Sequence, residues 1–243
     1  MKKQRWSSIY LAAAIVLVLG ITAQPAWASD EFCIVELDEA QVFIEFNSTD
    51  DDRGIQFFWD GEAWKRMRVR NTSGAAVLDV IARRNVRAQG LTEGFFESAE
   101  PTGDELPADK FFERFPEGEY RFRGRTLDGC RLVGEADLTH DLPTPVEIDL
   151  EAFPFIEWEQ PEGGPAVVGY EVVVELVVID GDDERVFVDT ATFPGSVQEY
   201  TVSPEFLEVV DAAEDAGTLD ELKVEVIARE ESGNKTITEE EVE

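Results

Sequence analysis

Arginines recur at every second position in two separate segments of this sequence, and they are its best candidates for recognition chemistry. In a β-strand, alternate residues lie on the same face, so each series occupies one side of its strand. Guanidinium groups bind carboxylates and other anions through paired hydrogen bonds. If both segments lie in one sheet, they predict a ligand face for an anionic or carboxylate-bearing partner. With a tryptophan at the same spacing, that face consists of Trp64, Arg66, Arg68, Arg70, Arg121, Arg123 and Arg125.

Two other roles for these arginines remain open. The sequence has 53 Asp and Glu against 21 Lys and Arg, so each arginine has many acidic residues with which to pair across strands. Such exposed pairs contribute from a few tenths to about 1 kcal/mol each, and this structural role is the one we favour. As a further hypothesis, the arginines dock against the acidic second half of the chain, its own or that of a neighbouring copy.

Oxygen-bearing side chains crowd a turn at residues 45–54 and suggest a calcium site. Calcium takes six to eight oxygen ligands, and Asn47, Asp50 and Asp52 would supply some of them. The match to an EF-hand loop is poor because Arg53 stands where a glycine should follow the third ligand. The alternative is an ordinary acidic turn in which the side chains cap backbone amides. No other cofactor is expected.

Catalytic machinery is scarce. His140 is the only histidine, and it lies between Thr139 and Asp141 with no G-x-S-x-G nucleophile motif in the sequence. One histidine and two cysteines cannot supply four zinc ligands if the cysteines pair. Pairs of carboxylates arise by chance in so acidic a chain. We therefore expect a protein that is not an enzyme.

Cys33 and Cys130 are the only cysteines, and we expect them to form a disulfide. Each cysteine shares its parity with the apolar residues of its own strand, so both sulfurs should face the same core. A bridge that closes a loop of this length would stabilise the fold by about 4–5 kcal/mol in the chain-entropy model. Two buried free thiols are the alternative.

Residues 1–28 have the pattern of a cleaved secretory signal peptide. Lys2, Lys3 and Arg5 precede a short apolar run, and a small-x-small ending follows it, with Ala26 and Ala28 as the small residues. No second apolar stretch is long enough to span a membrane, so we expect a soluble secreted or periplasmic protein without a transmembrane anchor in the mature chain. The formal net charge of −32 argues against nucleic acid and anionic membrane surfaces as partners.

The first half of the mature chain, residues 29–143, predicts an immunoglobulin-like β-sandwich. Short alternating segments are separated by turn residues, and one short helix is predicted after Pro107, over residues 108–115. Parity in the hairpin near Gly129 requires a three-residue loop, which pairs Phe122 with Gly134 and Tyr120 with Ala136. The predicted strands are Gln41–Phe46, Ile55–Trp59, Ala63–Arg70, Ala75–Ala82, Leu91–Ser98, Glu119–Thr126 and Cys130–Leu138.

The second half, residues 146–243, carries three short motifs one after another along the chain. They are W-x-x-P at 158–161, G-Y-x-V at 169–172 and Y-T-V-x-P at 200–204. In this half the chain resembles a fibronectin type III domain, which implies a second β-sandwich. Two departures are expected: Leu222 replaces the usual corner tyrosine, and a helix is inserted between Ser203 and Gly217. The prolines near residue 143 and the more acidic composition beyond them mark the predicted domain boundary.

These patterns together predict an all-β protein of two β-sandwich domains, each with one short helical insertion. The function expected of it is non-catalytic recognition or spacing at the cell envelope, through a protein partner or an anionic ligand whose identity the sequence does not give. The alternatives are a carbohydrate-directed enzyme accessory module and a calcium-dependent binding domain.

Overall fold

β-strands dominate the structure, a computed structural model that describes residues 33–242. The predicted signal peptide lies outside the described residues. Within them the helices are α1 (Arg84–Gln89), α2 (Ala108–Arg114) and α3 (Pro204–Ala216). The strands are β1 (Ile34–Glu36), β2 (Glu39–Asn47), β3 (Asp52–Arg70), β4 (Ala76–Ile81), β5 (Leu91–Glu97), β6 (Gly118–Thr126), β7 (Arg131–Leu138), β8 (Glu147–Asp149), β9 (Phe155–Glu159), β10 (Val167–Asp180), β11 (Asp183–Pro194), β12 (Glu199–Thr201), β13 (Leu219–Glu230) and β14 (Lys235–Glu241). The predicted all-β, sandwich-like fold is confirmed.

Strand β3 is long enough to serve two layers of the first half. Its beginning pairs with β2 and β5, whereas its end pairs with β4 and β6. Register shifts between Asp60 and Arg66 bend the strand between these two parts, and bulges are the usual means by which a strand passes from one sheet to another. The sequence predicted two strands separated by a turn at 60–61, but the chain continues through this point as one bent strand.

A core of aromatic and aliphatic side chains fills the space inside the first half. Trp59 stacks on Phe96, with ring centroids 5.1 Å apart, and also contacts Phe122 at 5.9 Å. Helix α2, which the sequence predicted over residues 108–115, adds Phe111, which is 1% exposed. The hairpin between β6 and β7 has the predicted pairs Tyr120–Ala136 and Phe122–Gly134. The prediction of a three-residue hairpin loop is therefore confirmed.

The second half packs two sheets face to face. Strands β12, β9 and β8 form one sheet, while β11, β10, β13 and β14 lie in order in the other. The inward residues of both sheets form a core of their own, with Trp158 and Tyr170 in edge contact at 5.4 Å. The predicted insertion is present as α3: Ser203 Oγ accepts a hydrogen bond from the backbone N–H of Phe206, and Gly217 ends the helix in a left-handed conformation.

One sheet runs through both halves. Strand β14 of the second half pairs in parallel with β2 of the first half, with Lys235 opposite Glu45 and Ile237 opposite Asn47. Nevertheless, the two buried cores have no residue in common. The domain limits at 143 and 146 stay a prediction, and the described residues show that strands of the predicted domains hydrogen-bond to each other.

The disulfide between Cys33 and Cys130 is present, with Cα atoms 4.9 Å apart. It lies at the end of the short parallel pair β1–β7, one register step before Ile34 and Arg131. The prediction that both sulfurs face the core is wrong, since Cys33 is exposed and Cys130 is only partly buried. The bridge instead fixes the register of a three-residue edge strand.

The first half has two short helices within the described residues rather than the one predicted. The additional helix, α1, has six residues, none of them buried and none acting as a side-chain cap. The sequence indicated only a turn at Gln89-Gly90, between the predicted strands Ala75–Ala82 and Leu91–Ser98, because no apolar periodicity or capping residue marks a helix there.

Candidate functional site

The two arginine series are directly opposite each other in adjacent strands. The end of β3 pairs antiparallel with β6, so Arg68 lies across from Arg123. Arg66 faces Arg125 and Arg70 faces Arg121 in the same way. The neighbouring inward positions are buried, as Met67, Val69 and Phe122 show with 0% exposure. The arginines therefore form a two-column array on the outer surface, which we call the arginine face.

Trp64 does not belong to this face, and the prediction that placed it there was wrong. Its side chain is 0% exposed and lies 5.7 Å from the ring of Trp59 in the core. The register of β3 against β6 shifts between Trp64 and Arg66. A bulge places one extra residue between them and reverses the parity on which the prediction depended.

Carboxylates neutralise part of the arginine face. Asp79 of β4 accepts hydrogen bonds from both Arg66 and Arg68. Hydrogen bonds from these two guanidinium groups lower the pKa of Asp79 to about 2. Arg123 pairs with Glu135 at 2.9 Å, and Arg121 pairs with Glu119. The ion pairs favoured by the sequence analysis are thus present.

The remaining contacts leave positive charge on the surface. Arg70 donates to the carbonyl of Gly74 at 2.6 Å, and Arg125 donates to the carbonyl of Gly129 at 2.8 Å. Neither bond neutralises a charge. The arginine face consists of Arg66, Arg68, Arg70, Arg121, Arg123 and Arg125, and the carboxylates at outward positions of β4, β6 and β7 are Asp79, Glu119, Glu135 and Asp137. The surface is locally cationic in a strongly acidic protein.

The acidic turn between β2 and β3 is held together by its own side chains. Asn47 Oδ1 accepts hydrogen bonds from the backbone N–H groups of Thr49 and Asp50, at 3.0 and 3.3 Å. Loss of solvent and the neighbouring charge of Asp50 raise the pKa of Asp52. The calcium site at Asn47, Asp50 and Asp52 stays a prediction, and the capping role weighed against it matches these hydrogen bonds.

A tighter group of carboxylates lies beside this turn. Oxygens of Glu45, Glu97 and Glu100 all lie within 4.8 Å of one another, close enough to share a cation. Loss of solvent, followed by the charges of Glu45 and Glu97, raises the pKa of Glu100 to about 7. A Cβ on Gly54 would lie 2.9 Å from the Glu100 side chain, so glycine makes room for this carboxylate. Sequence reasoning missed the group because Glu45 lies in β2, far along the chain from Glu97 at the end of β5 and Glu100 just after it.

His140 has a structural role. Its Nε2 lies 2.8 Å from the carbonyl oxygen of Phe115 and donates to it, and its ring stacks on Phe112 at 4.2 Å. These contacts attach the segment after β7 to the end of α2.

Two surface hollows bear on the enzymatic and carbohydrate alternatives. A hollow of about 1060 Å³ at the second half is lined by carboxylates and apolar groups, without lysine, arginine, histidine or serine. A groove of about 590 Å³ lies where the halves meet and includes Phe58, Phe95, Arg229 and Lys235. Phe95 is 53% exposed. The lining of the groove also includes Ser232, whose hydroxyl donates a hydrogen bond to Glu230.

Comparisons with known proteins find solved structures that resemble this chain only distantly. No protein-family model and no curated protein matches this sequence. Solved structures that resemble it include the BSP domain of a biofilm-associated protein, with 12% identity and a TM-score of 0.25, over 85% of this chain and 29% of that one. The 47-kilodalton lipoprotein Tp47 of Treponema pallidum has 10% identity and a TM-score of 0.31, over 84% and 50%. A two-domain fibronectin type III segment of chicken tenascin has 10% identity and a TM-score of 0.23, over 85% and 98%.

Likeness at this level carries no argument about function. The chain spans less than a third of the biofilm-associated protein and half of the lipoprotein. The class of protein therefore rests on strand order and packing, which define an all-β, sandwich-like fold. None of the helices within residues 33–242 is both long and apolar enough to cross a membrane.

Proposed function

We propose that this protein is a non-catalytic secreted recognition module whose arginine face binds a carboxylate-rich segment of a protein partner at the cell envelope. The observation that carries the proposal is the pairing of arginine with arginine at three consecutive outward positions of β3 and β6. The Cys33–Cys130 disulfide supports an oxidising compartment.

The arginine pairs are unfavourable for the isolated fold. Like charges directly opposite each other in a sheet are destabilising, and Asp79, Glu119 and Glu135 compensate only some of them. A partner that supplies further carboxylates would relieve the remaining repulsion. The side chains are accessible to such a partner, because those of Arg66 and Arg121 are 44% and 59% exposed.

The geometry suits an extended acidic segment. Same-face residues of a strand lie about 6.6 Å apart, and cross-strand neighbours lie about 5 Å apart. The array therefore matches the side-chain spacing of a β-like peptide with acidic residues at alternate positions. Guanidinium forks can bind each carboxylate through two hydrogen bonds.

The test uses poly-L-glutamate as a probe acidic segment, with the mature chain and two variants. Arg68→Gln combined with Arg123→Gln should weaken binding about tenfold or more, since charged hydrogen bonds contribute about 1.5–3 kcal/mol each. Arg185→Gln, an exposed arginine of β11, is the matched control and should bind as the wild type does. Raising the ionic strength should weaken wild-type binding. Equal binding by all three proteins would contradict the proposal.

Polygalacturonate and neutral dextran make the same experiment a test of the carbohydrate alternative. A module directed to acidic protein segments should bind poly-L-glutamate more tightly than either polysaccharide. Tight binding of dextran that survives the loss of Arg68 and Arg123 would instead indicate a carbohydrate-directed accessory module and contradict the proposal.

Calcium-dependent binding is a second candidate, favoured by the grouping of Glu45, Glu97 and Glu100. A cation among these carboxylates would bind the folded chain in preference to the unfolded one and raise Tm. Melting curves with calcium and with a chelator test this candidate, with Glu100→Gln as the variant. Identical Tm values for the wild type in both conditions would remove it.

A further inference from the structure

Strand β11 lies at one edge of the sheet that crosses both halves. It pairs with β10 along twelve residues without a register shift, and no other strand among the described residues pairs with it. Two of its valines are largely exposed, Val186 at 50% and Val188 at 53%. Its residues from 186 to 193 read VFVDTATF, with a single charge at Asp189.

The open side of β11 offers a regular set of backbone groups. Gly195 N–H donates to the carbonyl of Val168 at 2.9 Å, and the tight turn joins Asp180 to Asp183. The odd-numbered residues of β11 therefore bond to β10. The even-numbered residues direct their N–H and C=O groups away from β10, toward solvent. These residues are Glu184, Val186, Val188, Thr190 and Thr192.

Apart from the inward-pointing charge of Asp189, which Tyr200 and Ser203 satisfy, the usual protections of an edge strand are missing here. Edges are generally kept apart by shortness, lysine, proline or a bulge. The opposite edge of the sheet, β1, has only three residues. In contrast, β11 has twelve residues, no lysine, no register shift against β10, and proline only at its last position. Such a strand is a template for another strand.

We infer that β11 binds β11 of a second copy in antiparallel pairing, which gives a two-fold symmetric dimer with a continuous sheet. Only registers that place even residues opposite even residues use the free backbone groups. A pairing centred on Val188 sets Val188 opposite its own copy and Val186 opposite Thr190 of the partner subunit. It forms about ten backbone hydrogen bonds between the two strands.

Backbone hydrogen bonds and charge together select this register. With Val188 at the centre, no charged residue of β11 faces another charged residue, and Arg185 lies diagonal to the partner subunit's Asp189. Centring on Val186 would place Asp183 opposite Asp189, which is unfavourable. Centring on Thr190 would bring Pro194, which has no N–H, into the paired region. Centring on Phe187 would place Arg185 opposite the partner subunit's Asp189 but would form only about eight backbone hydrogen bonds, and centring on Asp189 would place Asp189 opposite its own copy.

Contacts on the inner face hold β11 in place for such pairing. Asp189 accepts hydrogen bonds from Tyr200 Oη at 2.6 Å and from the backbone N–H of Ser203 at 3.0 Å. The strand is therefore attached to the segment that precedes α3, and its edge does not need to reorganise before a second strand binds.

Cysteine crosslinking tests the register directly. In the mature chain with its native disulfide intact, Val188→Cys should form a covalent dimer under mild oxidation, because the two Cα atoms lie about 5.5 Å apart in a hydrogen-bonded pair. Val186→Cys and Thr190→Cys should not crosslink alone but should crosslink with each other when mixed. Equal crosslinking by every single variant, or none by Val188→Cys, would overturn the inference.

Sedimentation equilibrium tests the dimer itself. The wild type should dimerise, and Val188→Pro should be monomeric, with the Tm that the wild type has at concentrations where it is itself monomeric, because the N–H that it removes faces solvent in the monomer. Val188→Lys, which keeps the backbone N–H, should weaken dimerisation about tenfold or more through like charges at the symmetry axis. Val188→Thr is the matched control. A wild type that stays monomeric at every concentration, or variants that dimerise equally well, would overturn the inference.

Discussion

The side chain of Asn234 accepts a hydrogen bond from the backbone N–H of Ile44, with Asn234 Oδ1 and Ile44 N 2.8 Å apart. Both residues are 0% exposed. Asn234 Nδ2 also donates to the backbone carbonyls of Thr139 and Asp141. One amide group therefore connects β2, the segment after β7 and the turn before β14, where the predicted domains meet.

Replacing Asn234 should weaken the fold substantially. Asn234→Ala leaves the buried N–H of Ile44 without its acceptor and should lower the free energy of unfolding by about 2–4 kcal/mol, as measured by denaturant titration. Asn71→Ala, at an exposed turn, is the matched control and should cost less than about 1 kcal/mol. Similar losses in both variants would show that Asn234 is no more important than a surface turn residue.

Asp189→Asn should destabilise the protein at neutral pH but not in acid. Loss of solvent alone would raise the pKa of Asp189, but hydrogen bonds from Ser203 and Tyr200 lower it overall. A carboxyl group with a lowered folded pKa stabilises the protein above its unfolded pKa, and this stabilisation is lost as pH falls through the folded pKa. The difference in Tm between wild type and variant should therefore be large at pH 7 and shrink near pH 3. A constant difference would contradict this assignment.

Glu100→Gln should have the opposite pH dependence. Because the pKa of Glu100 is raised to about 7 in the folded chain, its stabilising contribution is present below the unfolded pKa and is lost as pH rises through 7. The variant should therefore melt at a higher temperature than the wild type near pH 8, with the advantage disappearing near pH 4. Glu93→Gln, an exposed residue of β5, is the control and should not show this crossover.

Removing the disulfide should lower stability chiefly through the unfolded state. The double variant Cys33→Ser and Cys130→Ser opens a loop with a sequence separation of 97 residues. The free energy of unfolding should fall by up to about 4–5 kcal/mol in denaturant titrations. Because β1 has only three residues, its amides should also exchange faster with solvent in the native state. An unchanged free energy of unfolding would mean that the disulfide hardly restricts the unfolded chain.

Parity predicted much of the first half correctly. The three-residue loop followed from keeping Tyr120 and Phe122 on one face, and it was confirmed. The same reasoning placed the arginines of β3 and β6 on outward faces, and burial of Met67 agrees. It failed at Trp64, because a bulge alters the count and no residue type in the sequence marks that bulge.

Contacts between segments that are far apart in the sequence could not be predicted from local residue patterns. The parallel pairing of β14 with β2 depends on shape and on a buried amide that satisfies several backbone groups at once. The grouping of Glu45, Glu97 and Glu100 likewise depends on how β2 and β5 flank β3. Neither arrangement leaves a periodic signal along the chain.

The bend in β3 has a mechanical consequence. This one strand hydrogen-bonds to β2 and β5 at its beginning and to β4 and β6 at its end. Unfolding of the layer that contains β2 and β5 therefore disturbs a strand on which the layer of β4 and β6 also depends. The first half of the intact chain should therefore unfold in a single cooperative event, whereas cleavage near Gly61 should let the two layers unfold in separate steps.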